Sequence, residues 1–140
     1  MNSSSSVYAL QSATAVIEAG AGLALLIVPS RAARLLLGAP LDAPEALTVA
    51  RVGGMALLSL GVGFWLARGD AQSRASKGMI AAILLYNVGA VFILGSFGIG
   101  SRRVGVALWP AVVLHTVMTA WCVMTVRHLG GAEEADSLRH

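Results

Sequence analysis

Five residues place side chains able to hold a charge, move a proton or bind a polar ligand deep inside apolar sequence: Glu18, Arg51, Tyr86, Asn87 and His115. Glu18 lies about eleven residues into the first apolar block, Asn87 about nine into the third and His115 about ten into the fourth. At about 1.5 Å per helical residue, antiparallel packing brings these three to nearly one level, with Arg51 roughly 7–8 Å away along the axis. An extended arginine covers that distance. A Glu18–Arg51 ion pair, with Asn87, His115 and Tyr86 as neighbours, is the simplest expected arrangement. In lipid an unpaired charge costs from a few to more than ten kcal/mol, so an ionisable residue there calls for a partner, a proton or water.

Two kinds of chemistry suit such a cluster. A polar cavity inside a helix bundle can bind a small molecule or pass a proton, and a glutamic acid beside a histidine can act as an acid–base pair. The plainer reading is register: polar pairs lock neighbouring helices, each contributing about 0.6 kcal/mol. Glu18, His115 and Cys122 carry metal-ligating groups, yet no two share the close spacing of a metal motif, and no metal is expected. A bis-histidine haem needs a second intramembrane histidine, and His128 and His140 fall outside the apolar blocks, so no cofactor is expected either. Gly-rich phosphate loops, cysteine pairs and nucleophile elbows are absent, and Gly61-Val62-Gly63 reads as helix packing.

The elements that must position these residues follow from composition. The chain has 140 residues, 56 % of them hydrophobic and 12 % charged, with mean hydropathy +0.76. A soluble domain carries about 25 % charged residues. So small a soluble fold could not cover this much apolar surface, which excludes a soluble enzyme, a disordered tail and a nucleic-acid module. The net charge of +3 comes from lysines and arginines scattered singly or in pairs between apolar segments, the pattern of membrane loops facing lipid headgroups. Four blocks, residues 7–28, 47–67, 78–98 and 105–126, each approach the roughly 20 residues a helix needs to cross a bilayer. The expected fold is an all-α membrane protein, a single domain over residues 1–140 built as a four-transmembrane-helix antiparallel bundle.

Between the first two spans, residues 30–38 are too short to cross, and their arginines Arg31 and Arg34 oppose leucines, which predicts a short interfacial helix. The first block is read as an uncleaved span: Met1 to Ser6 carry no base and Glu18 interrupts the apolar run. Ser3 to Ser6 read as a disordered leader, and residues 127–140 as a soluble tail, with Gly130-Gly131 as the stop of the fourth helix. On the first span, Gln11, Thr14, Ala15, Glu18 and Gly22 share one stripe, while Val16, Leu23, Ala24 and Ile27 form the lipid face. Trp65 and Trp109 suit the interfacial aromatic belts. Basic residues divide almost evenly between the two sides, leaving orientation weakly specified; Arg68, Arg74 and Lys77 tilt the expectation towards cytoplasmic termini.

The segments ARVGGMALLSLGVGFWLAR (50–68), LLYNVGAVFIL (84–94) and LWPAVVLH (108–115) resemble small bacterial four-helix inner-membrane proteins of the broad DoxX-like kind. That resemblance implies the bacterial inner membrane and assigns no site. The glutamate in AVIEAGAG (15–22) is also similar to the first-span glutamate of small multidrug resistance transporters, which implies a proton- and drug-binding role for Glu18 and dimerisation. Arg51 and His115 have no counterpart in that pattern.

Three functions follow as expectations. The first is an accessory or helper subunit of a membrane complex, in contact with membrane lipids and with a larger assembly or a second copy. The second is a proton-coupled small-molecule carrier or binder using Glu18. The third is a membrane enzyme acting on a lipid or isoprenoid-like substrate, with Glu18 and His115 as acid and base.

Overall fold

The computed structural model describes residues 3–70 and 73–137, and all regular structure among them is helical: α1 (Ser3–Ile27), α2 (Pro29–Leu37), α3 (Pro44–Ala67), α4 (Arg74–Gly100) and α5 (Leu108–Ser137). α1, α3, α4 and α5 are each long and apolar enough to cross a membrane. The chain is a multi-pass membrane protein. Its large exposed side chains are those of a lipid-facing surface, among them Val16, Leu23 and Ile27 on α1 and Leu85, Phe92 and Ile93 on α4.

Two antiparallel hairpins make up the bundle. In the first, α1 lies tightly on α3 because small residues meet across the seam. A Cβ placed on Gly61 would come within 2.9 Å of the Ala15 carbonyl oxygen and the Ala19 nitrogen, and one on Gly22 within 2.6 Å of Gly54 and Leu58 backbone atoms. Backbones this close are a recurrent solution for helices in lipid, where dispersion contacts replace the hydrophobic effect. The second hairpin pairs α4 with α5, from Asn87 opposite His115 to Gly98 against Leu108 and Trp109. α1 joins the hairpins through contacts with α5, and the shared core includes Val7, Leu10, Phe64, Ile80, Ile83, Met118 and Cys122.

α2 takes the position expected of the short helix after the first span. Pro29 opens it, where proline's missing N–H is harmless, and Gly38 ends it at φ 84°, donating its N–H to the Arg34 carbonyl over 3.0 Å. Ala33 is buried while Arg31 and Arg34 stay exposed. The Ala107 N–H donates to the Leu35 carbonyl over 2.9 Å, fastening α2 to the entry of α5.

Both chain ends depart from expectation. Ser3 to Ser6 belong to α1, and Ser6 is buried with its hydroxyl 3.4 Å from that of Thr125. The polar run that looked like a leader pairs with a polar residue on α5, a relation no local pattern announces. At the other end α5 passes through Gly130-Gly131 to Ser137. Leu129 is buried against the core, which anchors the helix up to the glycines, and Ala132, Glu133, Glu134 and Ala135 are strong helix formers beyond them. Residues 138–140 of the expected tail lie outside the described residues.

Candidate functional site

The stripe read on the first span is the buried face of α1: Gln11, Thr14, Ala15, Glu18 and Gly22 are all buried, and Val16, Leu23 and Ile27 point outward. Glu18 is only 3 % exposed. Its Oε2 has no hydrogen-bond partner, and neither have Gln11 Oε1, Ser12 Oγ and Thr14 Oγ1. Four unpartnered oxygens thus fall within about two turns of one helix. Gln11 is held from the other side of its amide, where Nε2 donates to Ser76 Oγ over 2.7 Å. Ser76 sits in the first turn of α4, capped by Ser73, whose hydroxyl accepts from the Ser76 N–H over 3.1 Å.

Across the bundle, α4 and α5 bring three of the sequence candidates together. His115 Nδ1 and Asn87 Oδ1 are 2.7 Å apart, and the Asn87 amide nitrogen donates to the Ile83 carbonyl over 2.8 Å. The Tyr86 and His115 rings meet edge to face, 5.6 Å between centroids at 80°. With Asn87 Oδ1 as acceptor, Nδ1 of the imidazole carries the hydrogen and Nε2 is left as the lone-pair nitrogen. The Thr119 hydroxyl donates back to the His115 carbonyl over 2.8 Å. Tyr86 links this group to α1, because it lies close enough to Glu18 for the two to interact electrostatically. No hydrogen bond joins Glu18 to His115 among the described residues.

Arg51 is elsewhere. At four- and seven-residue spacings it shares a stripe with Met55, Val62 and Leu66, all exposed, whereas α3 faces the bundle with Gly54, Gly61 and Phe64. The Glu18–Arg51 ion pair expected from sequence therefore does not form. The Gly22–Gly54 and Ala15–Gly61 contacts set Arg51 level with the end of α1, roughly 13 Å from Glu18 along the axis, and its stripe turns outward; the seven-residue spacing of Gly54 and Gly61 was the signal marking the packed stripe. Two other residues escaped the sequence reading, Ser76 and Thr125, because each acquires its role only from a partner on α1.

Space around these groups is limited. A groove of about 240 Å³ lies between α1 and α3, lined by apolar residues including Ala15, Ala19, Gly61 and Trp65, and opens to the surface. A second, of about 120 Å³, lies between Val88, Val91, Thr116 and Thr119. Neither is lined by Glu18 or His115. Among the described residues no three His, Cys, Asp or Glu side chains gather as a metal site. Near the membrane boundary, Trp65 carries the Arg68 guanidinium 3.6 Å above its ring, and the guanidinium also donates to the Trp65 carbonyl. Compared with protein-family models, curated proteins and solved structures, the chain matches none.

Proposed function

We propose that this protein is a proton-coupled carrier or binder of small cations in the bacterial inner membrane, inserted in both orientations with cytoplasmic termini in the larger share, and that Glu18 is its binding group. The observation that carries the reading is the Glu18 carboxyl, buried inside the bundle with an unpartnered oxygen. A structural polar residue in lipid ends up satisfied, as Asn87 and His115 are. Glu18 does not. A carboxyl in that position is neutral while it holds its proton and, on releasing it, becomes a ready acceptor for one positive charge. Exchanging a proton for a monovalent cation keeps the site's net charge constant, which is the condition for avoiding a bare charge in lipid. Asn87, His115 and Tyr86 serve as the rigid wall of the site, holding α4 on α5. The resemblance of AVIEAGAG to the small multidrug resistance transporters points the same way.

The test uses detergent-solubilised full-length protein and a set of lipophilic quaternary ammonium probes in weakly buffered solution. Probe binding should release one proton per probe bound, read with a pH indicator, and Glu18→Gln should abolish both binding and release. Unchanged binding to Glu18→Gln would end this reading.

A second reading, an accessory subunit of a membrane complex, draws on Arg51. A guanidinium exposed on the outer stripe of α3, among apolar neighbours, suits an acidic residue of a partner subunit or an anionic lipid headgroup. Gentle extraction and native mass spectrometry should then show a stoichiometric partner that Arg51→Gln loses; a chain found alone or as a homodimer would argue against it.

A further inference from the structure

The other three unpartnered oxygens on α1 are not scattered around Glu18; they lie on one side of it. Moving from Glu18 towards the N-terminus of α1, the buried face presents Thr14, then Gln11, whose amide is bonded to Ser76 in the first turn of α4. Beyond Ser76 come the Ser73 cap and Asp70, whose carboxylate accepts from the Ser73 N–H over 3.2 Å in the exposed connection between α3 and α4. From Gln11 to Glu18 is about 10 Å along the helix, with Thr14 midway. Moving from Glu18 in the other direction, the same stripe offers Gly22, pressed on Gly54 and Leu58, and then Leu25, Leu26 and Pro29. The α4–α5 hairpin is closed at that end too, by the fully buried Leu108 seated against Gly98.

Buried polar oxygens without protein partners are the usual hosts of internal water, each such water making about three hydrogen bonds. Gln11 Oε1, Ser12 Oγ, Thr14 Oγ1 and Glu18 Oε2 supply four such oxygens over a short line. We infer that Glu18 exchanges its proton with only one face of the membrane, the face bearing the N-termini of α1 and α4, along a hydrated line through Thr14, Gln11 and Ser76. The line consists of hydroxyl and amide groups that relay a proton through water without ionising. Titratable groups around Glu18 are few: Tyr86 on α4 is within electrostatic reach, His115 on α5 packs against Tyr86, Cys122 is buried further along α5, and α3 seats Leu58 and Gly61 on α1 with no charge. At the mouth stand Asp70, Arg74 and Lys77. The inference rests on Glu18 being a proton-exchanging group, as proposed above, and selects the binder form of that proposal, because a carrier must exchange its proton at both faces.

Sidedness can be read with a membrane-permeant carbodiimide, which modifies a carboxyl only while it is protonated. Full-length protein carrying Ser4→Cys is reconstituted in phosphatidylcholine vesicles, and an impermeant maleimide measures the fraction whose α1 N-terminus faces outward. When the outside alone is made acidic, the fraction of Glu18 modified, read by mass spectrometry, should equal that outward-facing fraction. When the inside alone is made acidic, it should equal the remainder. Thr14→Val should slow the response to a pH jump about tenfold, the effect of one lost hydrogen bond on a rate, with the final extent unchanged, and Thr14→Ser should restore it. Gln11→Leu should act in the same direction, and an unchanged unfolding midpoint for Thr14→Val separates slowed exchange from misfolding. Modification that follows the pH of the opposite face, or of both faces equally, would overturn the one-sided line while leaving Glu18 as a proton-exchanging group. A Glu18 that reacts under no condition would remove that role itself, and the line with it.

Discussion

Glu18 and Asn87 are both buried polar residues inside apolar helices, yet they predict opposite responses to mutation. Asn87 is satisfied twice, by His115 and by the Ile83 carbonyl, so Asn87→Ala strands the imidazole and a carbonyl-facing gap. Asn87→Ala and His115→Ala should each lower the unfolding midpoint in detergent. Their double mutant should show a coupling of about 0.6 kcal/mol and no more than about 1.7, the range found for interhelical hydrogen bonds in membranes. Purely additive losses would mean that the bond contributes nothing. Glu18→Gln, by contrast, keeps the shape and removes only the capacity to ionise, so its midpoint should stay at or above that of the native chain while proton exchange vanishes. Arg51→Met should change stability by less than about 0.5 kcal/mol, and its effect should add to that of Glu18→Gln, because the two side chains do not meet. A loss of several kcal/mol from Arg51→Met alone would restore the ion pair. The level shared by Asn87 and His115 was legible from residue counts because both lie on facing stripes of one hairpin. Arg51 was misplaced by the same counting, since block edges do not fix the axial offset between α1 and α3 and rise says nothing of which way a side chain turns.

Among the elements, the α1–α3 seam has the least tolerance. Gly61→Leu would drive a side chain into the Ala15 carbonyl and the Ala19 backbone, neither of which can yield without parting the helices. Overpacking of this kind costs about 1–3 kcal/mol, and here it also moves the helix that carries Glu18. The control is Gly89→Ala on α4, where a Cβ meets open space; relief of helix entropy should make it neutral or stabilising by about 0.5–1 kcal/mol. Thermal unfolding of both variants in one detergent tests the contrast, and equal midpoints would show that the seam is softer than its geometry. The spans themselves were legible because each apolar block matches a bilayer in length, and α2 because its arginines and leucines divide by face. Helix ends were not. Serines 3–6 are helical because Thr125 lies opposite Ser6, and α5 ignores a double glycine because Leu129 holds the preceding turn in the core. Both facts depend on a second helix.

At the scale of the whole molecule, four spans put both ends of the bundle's chain on one face, with Arg68, Arg74, Lys77 and Arg127, and put α2 with Arg31, Arg34, Arg102 and Arg103 on the other. Among the described residues outside α3, four basic residues then oppose four. Orientation is set by lysine and arginine in short loops, so a tie leaves insertion undecided by charge. The arginines of α2 offer a clean lever. Arg31 and Arg34 are exposed, and α2 is held by Ala33, Pro29 and the Leu35–Ala107 backbone bond rather than by its charges. Arg31→Gln with Arg34→Gln should therefore leave the fold intact and remove half of the basic residues from that face. Cysteines introduced by Ser4→Cys and, separately, Asp42→Cys report opposite faces to an impermeant maleimide in intact cells, and the native thiol of Cys122 is buried and silent. In the native chain both sites should label in part, from two coexisting orientations. In the double glutamine variant, outside labelling at position 42 should rise and that at position 4 should fall, as the α1 N-terminus is retained in the cytoplasm. That shift would fix which compartment Glu18 answers to, since its polar line opens beside the N-termini of α1 and α4. Labelling unchanged by the two substitutions would show that orientation is decided by something other than loop charge, and would leave the sidedness of proton exchange to be set by insertion partners.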